Sequence, residues 1–292
     1  MRPAAEKEAG MRTKRKHAAV IVAAFLLAAA TQCTGLEQSR PKILVSNDDG
    51  IDAPGLAALV TAMEKVGTVT VAAPVREQSG ISHGMTTRKL IPVRESERGG
   101  TKWYAIDATP ASCVRLALES LLPEKPDIVV AGVNRGENVG LVTFYSATVA
   151  AAREAAFLRI PAVSVNLQHG ESMDYGLAAD ITAALVRELA RGGFDKGLLL
   201  NVNIPALAKN EIKGVLVTRL DDRQTIEFFE RKETRNGETL FWPSYKTLDA
   251  GQEGTDTWAV RNGYISIAPL SLDQTDTAAL KRLKGLEKLA WK

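Results

Sequence analysis

The segment KILVSNDDGIDAPG, from Lys42 to Gly55, decides the fold prediction for this chain. Residues 43–46 are apolar or small, which predicts a buried strand. Two carboxylates, Asp48 and Asp49, then follow side by side before a glycine. In open α/β sheets ligands bind beyond the carboxyl ends of the strands, so this acidic pair marks a candidate functional site as well as a strand end.

Downstream of this segment, short apolar runs alternate with helical patterns, which is typical of βαβ units and a mainly parallel sheet. Apolar residues at four-residue spacing, Leu177, Ile181, Leu185 and Leu189, predict one of the helices. Because βαβ crossovers are right-handed, we expect helices on both faces of the sheet. The predicted fold class is α/β, a doubly wound three-layer α/β/α (Rossmann-like) sheet. The predicted strands are residues 42–47, 68–74, 103–107, 127–134, 162–167 and 197–205.

The last quarter of the chain predicts a different element. TIEFFERKET and ETLFWPSY flank Asn236-Gly237, a strong signal for a type I′ hairpin. Two interpretations stay open, an arm that packs on a second subunit and a plain edge hairpin. We predict one domain over residues 41–292, in which residues 221–292 include an oligomerisation hairpin and a C-terminal helix. That helix is predicted from Leu280, Leu283, Leu286 and Leu289.

The net charge gives no support for a nucleic-acid surface. The formal charge is +3, but the first thirty residues hold six Lys or Arg against two Glu, a surplus of four positive charges. The rest of the chain therefore carries about −1. We expect no nucleic-acid duplex as a partner.

The N-terminus predicts a targeting segment. The basic stretch MRTKRKH precedes thirteen uncharged, mostly apolar residues, 18–30, which is short for a membrane span and typical of a signal-peptide core. Ala28 and Ala30 form an A-x-A cleavage site, so residues 1–33 are predicted to be a signal peptide and the protein to be exported and periplasmic. Alternatives are an uncut anchor and a lipoprotein attached to the membrane through Cys33, although Gln32 suits a lipobox poorly. Two cysteines in the chain exclude a disulfide framework.

Three polar, glycine-rich loops follow three predicted strands and would meet at one edge of the sheet. They carry Asp48 and Asp49 in the first loop, Ser79 in the second and Asn134 in the third. Adjacent carboxylates repel each other unless a cation lies between them or one is protonated. These oxygen ligands suit Mg²⁺ or Mn²⁺, whereas zinc fits badly in a chain with three histidines. The alternative is an ordinary turn, since Asp-Gly is a common turn pair and Asp a common helix cap.

The stretch YSATVAAAREAA, residues 145–156, predicts a helix that opens with the hydroxyl residues Ser146 and Thr148. Free N–H groups and the positive end of the helix dipole suit a phosphate, although simple capping would select the same residues. His83 shares the Ser79 loop and could approach a leaving group or be a solvated bystander. His169 follows a strand end and has no partner visible from the sequence.

Several common catalytic motifs are missing from the sequence. It contains no Walker loop and no G-x-G-x-x-G that opens a helix after the first strand. Its G-x-S-x-G match, GISHG at residues 80–84, begins six residues after the predicted strand 68–74, and so it does not form a strand-to-helix elbow. These absences exclude serine hydrolases of the elbow type, P-loop enzymes and ordinary dinucleotide binders.

Seven blocks of the chain, in order, read ILVSNDDGIDAPG, VAAPVREQSGIS, DIVVAGVNRGENVG, FYSATVAAARE, IPAVSVNL, LNVNIP and EGTDTWAVRNGYISIAPL. Together the blocks cover roughly residues 42–272. In this order they resemble the SurE-type survival-protein nucleotidases, metal-dependent acid phosphatases that act on nucleoside monophosphates.

The resemblance implies a set of site residues and an assembly. It implies a homodimer or homotetramer whose C-terminal portion, with its projecting hairpin, exchanges between subunits. It also implies one divalent cation, Mg²⁺ or Mn²⁺, per subunit. By position, the metal ligands would be Asp48, Asp49, Ser79 and Asn134, the phosphate-binding residues Asn138, Ser146 and Thr148, and the catalytic residues Asp48 and Asp49.

The expected function is metal-dependent hydrolysis of nucleoside monophosphates, as in a 5′/3′-nucleotidase. Attack by water is our hypothesis, and either aspartate could instead be a base or nucleophile. The chain departs from the family pattern at Ala147 and Ala108, where glycine is usual, and at Ser112, where aspartate is usual. Because glycine permits close approach, Ala147 could crowd the phosphate loop. The alternatives are an exported, non-catalytic nucleotide-binding protein, an exopolyphosphatase and another acid phosphatase.

Overall fold

The computed structural model describes residues 40–171, 173–223, 226–246 and 249–291. The predicted signal peptide over residues 1–33, including the lipidation candidate Cys33, lies outside these ranges. Residues from Arg40 onward form one compact unit by their contacts.

A nine-stranded sheet forms the centre of this unit, with the strand order β3-β4-β2-β1-β5-β6-β7-β11-β8. Its inner strands are parallel, while β3 runs antiparallel to β4 and β11 antiparallel to β7. A separate two-stranded sheet pairs β9 with β10. The strands are β1 (Lys42–Ser46), β2 (Thr68–Pro74), β3 (Val93–Arg98), β4 (Thr101–Ile106), β5 (Ile128–Arg135), β6 (Ala162–Leu167), β7 (Leu199–Ile204), β8 (Val215–Val217), β9 (Ile226–Arg235), β10 (Glu238–Lys246) and β11 (Ile265–Pro269).

Helices connect the strands and cover both faces of the sheet. They are α1 (Pro54–Glu64), α2 (Pro110–Leu116), α3 (Ala147–Phe157), α4 (Tyr175–Gly192), α5 (Asp256–Arg261) and α6 (Thr277–Arg282). A π-helical turn (Ala117–Leu121) extends α2, and a 3₁₀ segment (Gly140–Phe144) precedes α3. The α/β doubly wound prediction is thereby confirmed.

The two faces of the sheet bury different helix pairs because successive strand side chains point to opposite sides. Ile43 and Val45 of β1 pack in a cluster with residues of α1 and α4. Leu44 packs in a second cluster with residues of α2 and α3, including Cys113. The burial pattern thus produces the three layers.

All six predicted strands form, and the predicted bounds of 68–74 and 162–167 are those of β2 and β6. The prediction missed β3, β8 and β11. The residues of β3 are all exposed and mostly charged, so this edge strand has no apolar alternation to detect. β8 has only three residues, and β11 pairs with β7 across a long stretch of sequence.

Helix α4 forms as predicted but buries a different face. Its fully buried side chains include Ala178, Ala183 and Val186, while Ile181 and Leu185 are half-buried beside them. Small side chains allow a helix to approach its neighbours closely, so the alanines pack innermost. The apolar stripe instead borders the core.

The C-terminal arm, which we define as β9, β10 and the turn between them, forms as predicted. Asn236 and Gly237 have φ angles of 50° and 81°. Two consecutive positive φ values are the signature of the type I′ turn. The arm leaves Phe229, Phe241 and Trp242 largely exposed.

The prediction of a single C-terminal helix from four leucines is wrong, because the segment divides into a short α-helix and a 3₁₀ segment. α6 ends at Arg282, and a 3₁₀ segment (Leu283–Lys288) continues the chain. The leucines recur every third residue, which matches the 3.0 residues per turn of a 3₁₀ helix better than an α-helix. All four are exposed. Within the described ranges, no helix has the length and apolar character needed to cross a membrane.

Candidate functional site

The candidate site lies where the sheet reverses its direction of growth. From β1 the chain adds β2 and β4 on one side, and β5, β6 and β7 then extend the other side. The loops after β1 and β5 therefore leave in opposite directions, and ligands bind in the crevice that such a switch point opens. Asp48 and Asp49 follow the end of β1 after one intervening residue, and Asn134 is the second-last residue of β5.

Asp48 is a buried carboxylate, with 3% of its surface exposed. The hydroxyl of Thr148, at the start of α3, donates a hydrogen bond of 2.5 Å to its Oδ1. Burial raises the pKa of Asp48 to about 7, and the charge of Asp49 adds to the rise, although the Thr148 hydrogen bond lowers it. No basic side chain in the described part of the chain is among the causes of this shift.

Asp49 is partly buried beside the end of β5. The backbone N–H of Arg135 donates to its Oδ2 at 3.2 Å. Burial raises the pKa of Asp49, and the neighbouring charge of Glu77 raises it further. The first strand is thus followed by two carboxylates whose pKa values are both raised by burial.

The loop after β2 approaches this acidic pair closely. The N–H of Gln78 donates to the carbonyl of Asp48 at 2.8 Å, and the N–H of Ile51 donates to Pro74 at 2.8 Å. Gly50 has a φ of 105°, and a Cβ on it would lie 3.2 Å from the carbonyl carbon of Arg76. Glycine is required here by both the backbone conformation and the close approach.

The two neutral ligand candidates flank the acidic pair. The amide nitrogen of Asn134 donates to the carbonyl of Gly136 at 2.8 Å, which leaves the amide oxygen as its potential ligand atom. Ser79 is exposed, and its hydroxyl donates to Glu77 at 3.0 Å. Asn134 precedes Arg135, whose N–H contacts Asp49, and Ser79 follows Gln78, whose N–H contacts the carbonyl of Asp48, so the structure brings both loops to the acidic pair.

The N-terminus of α3 faces the same crevice through Thr148. Ser146 caps this helix, because its hydroxyl accepts a hydrogen bond from the N–H of Val149 at 3.1 Å. The hydroxyl of Thr148 is occupied by Asp48. The capping interpretation therefore holds for Ser146, while Thr148 links the helix to the acidic pair, and phosphate binding stays a prediction.

Asn138 is held in a network of asparagines at the ends of β6 and β7. Its side-chain nitrogen donates to Asn166 at 2.6 Å, and its N–H donates to Asn203 at 2.8 Å. Its carbonyl accepts from Asn201 at 2.8 Å. The side chain of Asn138 is thus directed into the sheet, and the network fixes the loop after β5.

Sequence reasoning missed several charged groups around Asp49. The charge of Glu77 raises the pKa of Asp49, whereas the charges of Arg135 and His169 lower it. His169 also lies against Gly136, where an added Cβ would be 3.0 Å from its Cδ2. His169 lies two residues beyond the end of β6, so its place after a strand end was visible in the sequence, whereas its proximity to Asp49 was not.

The three departures from the family pattern are accommodated. Ala147 is buried at the first position of α3, outside the set of residues with positive φ, and Ala108 is buried beside β4. Ser112 accepts hydrogen bonds from the N–H of Thr86 at 2.8 Å and from the hydroxyl of Thr109 at 3.0 Å. The serine hence helps to hold the loop after β2.

The donor set fits a hard divalent cation. Asp48 and Asp49 supply two carboxylates with raised pKa values, and Asn134 and Ser79 supply neutral oxygens. Such oxygen ligands are those that Mg²⁺ and Mn²⁺ prefer. Among the described residues, no group of three or more His, Cys, Asp or Glu side chains is arranged to hold a metal.

Comparison with known proteins gives a consistent result. The family described as "Survival protein SurE" matches residues 43–227. A protein of Desulforamulus reducens named "5'-nucleotidase SurE" is 43% identical over 249 residues, 84% of this chain and 98% of that protein. "5'-nucleotidase SurE 1" of Thermus thermophilus is 42% identical over 249 residues, 84% of this chain and 97% of that protein.

A solved structure supports the same assignment. The SurE protein from Aquifex aeolicus superimposes with a TM-score of 0.75 and 36% identity, covering 85% of this chain and all of the other. The region that the family model matches, residues 43–227, includes the strands from β1 to β7 and the loop that carries the acidic pair. This chain belongs to the SurE family.

Proposed function

We propose that this protein is a metal-dependent 5′-nucleotidase that hydrolyses the phosphate monoester of nucleoside monophosphates. The names of the relatives in Desulforamulus reducens and Thermus thermophilus support the activity. The acidic pair at the switch point supports the metal dependence. Mg²⁺ and Mn²⁺ are the proposed cations, one per subunit.

Asp48 and Asp49 have the role of cation ligands in this proposal, with Asn134 and Ser79 completing the set. A bound divalent cation supplies Lewis-acid polarisation of the phosphoryl group and lowers the pKa of water. Thr148 holds Asp48 in one orientation by its 2.5 Å hydrogen bond. The N–H of Arg135 does the same for Asp49.

The start of α3 is the proposed phosphate subsite. Its dipole and its free N–H groups favour an anion, and Thr148 brings this end of the helix against Asp48. Ser146 contributes by capping the helix, so that its first turn is fixed. Asn138 contributes through the network that fixes the loop after β5.

The observation that carries the proposal is the burial of Asp48 next to a second carboxylate, with no basic side chain of the described residues among the groups that shift its pKa. A buried, unpaired charge destabilises a protein by several kcal/mol, on the order of the cost of breaking a buried ion pair. A ligand cation accounts for this arrangement, whereas a simple turn does not. Asp49 is the more exposed member of the pair and lies on the side from which a substrate would approach.

The decisive experiment measures phosphate release from adenosine monophosphate. The protein from Thr34 onward is stripped of metal with a chelator, and Mg²⁺ or Mn²⁺ is then added back. We expect activity only after addition, and we expect Asp49→Asn to remove it. Full turnover in the presence of the chelator, or full turnover of Asp49→Asn, would contradict the proposal.

Assembly and location are further parts of the proposal. The exposed Phe229, Phe241 and Trp242 of the arm suit packing on a second copy, in a homodimer or homotetramer. Sedimentation of the purified protein tests this, and a monomer at micromolar concentration would contradict it. Export to the periplasm is proposed from residues 1–33, and fractionation of expressing cells with N-terminal sequencing tests it.

A further inference from the structure

The loop after β2, residues 75–92, has no regular secondary structure and carries Ser79. Ser79 is exposed, and Ser82 and Arg88 nearby have positive φ angles of 56° and 58°. Holding one residue of such a loop in a single conformation costs roughly 1–2 kcal/mol of conformational entropy. Contacts with the rest of the fold must therefore keep Ser79 in place.

Two kinds of contact fasten the loop at its ends. Near its start, the N–H of Gln78 donates to Asp48. Further along, the N–H of Thr86 donates to the hydroxyl of Ser112 at 2.8 Å. These hydrogen bonds join the loop to the segment after β1 and to α2, and residues 79–85 between them are positioned by other groups.

The middle of the loop is fastened to α3 and to the residues just before it. The N–H of Ser82 donates to the carbonyl of Tyr145 at 2.9 Å, and its hydroxyl donates to Phe144 at 2.5 Å. Nε2 of His83 lies 2.7 Å from Oε2 of Glu154, and the His83 ring stacks on Phe157 with 5.5 Å between centroids. The loop that carries Ser79 is thus bound to the helix that carries Thr148.

Glu154 is suited to be a fixed anchor for His83. Only 4% of its side chain is exposed, and Nε of Arg115, on α2, donates to its other oxygen at 2.5 Å. Burial alone would raise the pKa of Glu154, yet the hydrogen bonds from His83 and Arg115 bring it below its ordinary value. The carboxylate consequently remains an ionised acceptor.

We propose that His83 is a positioning residue, which through Glu154 fixes the loop that carries Ser79 on α3. The contact keeps the metal ligand Ser79 and the phosphate subsite at the start of α3 at one relative distance and orientation. The roles of Ser79 and α3 rest on the proposed function. The contact between His83 and Glu154 is independent of that function.

A competing role for His83 is that of a general acid for the leaving group. Its Nε2 is used by Glu154, and 22% of its side chain remains exposed. A positioning residue needs only a donor to Glu154, whereas a general acid needs a proton that titrates. Glutamine separates the two roles, because its Nε2 reaches about as far as that of histidine and does not titrate.

The test compares His83→Ala with His83→Gln. Mn²⁺ affinity is measured by calorimetry and amide exchange over residues 78–86 by mass spectrometry, both on the whole folded protein. We expect about tenfold weaker Mn²⁺ binding and faster loop exchange in His83→Ala, the usual scale for a partner that orients ligands. We expect His83→Gln to restore most of both properties.

Hydrolysis supplies the third measurement. With positioning, His83→Ala lowers the turnover of adenosine monophosphate and of p-nitrophenyl phosphate by a similar factor, because the geometry of the site changes for both. With general acid catalysis, p-nitrophenyl phosphate is spared since its leaving group needs little protonation. Glu119→Gln is the matched control, because Glu119 pairs with Arg115 at 3.7 Å on the surface and does not contact the loop.

Two results would overturn the proposal. One is wild-type Mn²⁺ affinity and loop exchange in His83→Ala. The other is a His83→Gln variant as impaired as His83→Ala, with p-nitrophenyl phosphate spared in both. If the wild-type protein hydrolyses no monophosphate yet the exchange of the loop depends on His83, the proposed function fails while the positioning role stands.

Discussion

Two buried carboxylates of this molecule, Asp48 and Glu154, have opposite electrostatic surroundings. Each has 3% of its surface exposed. Glu154 accepts hydrogen bonds from His83 and Arg115, and its pKa lies below the ordinary value. Asp48 has the hydroxyl of Thr148 and a second carboxylate beside it, and burial raises its pKa to about 7.

The difference distinguishes a buried carboxylate that stabilises the fold from one that can bind an external cation. At Glu154 the chain supplies its own cation, so the charge is compensated when folding is complete. At Asp48 the described residues supply none, so the compensating charge has to come from outside the chain. The pair Asp48 and Asp49 therefore destabilises the metal-free protein and is suited to bind a cation.

The largest effect that would test this comparison is expected from Asp48→Asn. We expect metal-dependent phosphate release to fall by at least about 100-fold, the upper end for residues that only orient a ligand. Added Mn²⁺ should raise the melting temperature of the wild-type protein but not that of the variant, because a ligand stabilises only the state that binds it. A variant that is inactive and still stabilised by Mn²⁺ would contradict the ligand role.

A smaller loss is expected when Asp48 keeps its charge but loses its partner. Thr148→Val removes the hydroxyl that donates to Oδ1 and leaves a buried acceptor unsatisfied. We expect the free energy of unfolding of the metal-free protein to fall by about 1–3 kcal/mol, measured by urea denaturation. Thr148→Ser, which keeps the donor, is the control and should lie close to the wild type.

The compensated carboxylate gives a stability effect with a defined pH dependence. The pKa of Glu154 is lowered in the folded state, so its contribution is present above the unfolded pKa of about 4.3 and is lost as the pH falls through the folded pKa. Glu154→Gln should therefore be less stable than the wild type near pH 7. The difference should shrink below about pH 4. A constant difference from pH 3 to 7 would show that the charge of Glu154 contributes nothing.

The smallest change in the free energy of unfolding is expected in the arm, whose side chains are exposed whereas Asp48 and Glu154 are buried. Trp242 is 62% exposed, so Trp242→Ser should change the free energy of unfolding of the monomer by within about 0.5 kcal/mol. The sedimentation coefficient should fall if the arm joins two copies. Unchanged sedimentation of an oligomer would place the interface elsewhere.

The elements and residues that could be predicted share one property, which is that their signals are local. The apolar run before Asp48, the turn pair Asn236-Gly237 and the spacing of apolar residues in α4 each express a backbone preference over a few positions. The position of Asp48 and Asp49 at a strand end followed from the order of strands and helices alone. The expected cation chemistry followed from the adjacent charges.

The contacts that make the site were beyond such reasoning. Thr148 lies 100 residues from Asp48, and Glu154 lies 71 residues from His83. The inward orientation of Asn138 depends on asparagines of two later strands, and the pairing of β11 with β7 joins distant segments. No local sequence pattern around these residues indicates which distant residue each one contacts.

By itself, the amino-acid sequence determined the strand that ends in two acids, the layered α/β architecture and the turn of the arm, because short-range sterics and apolar periodicity specify them. Only the tertiary structure decided that Asp48 is left without a basic partner while Glu154 has two donors. The physical reason is that charge compensation depends on distance in space. That distance is set when the sheet pairs β1 with β5 and when α3 packs on β5 and β6.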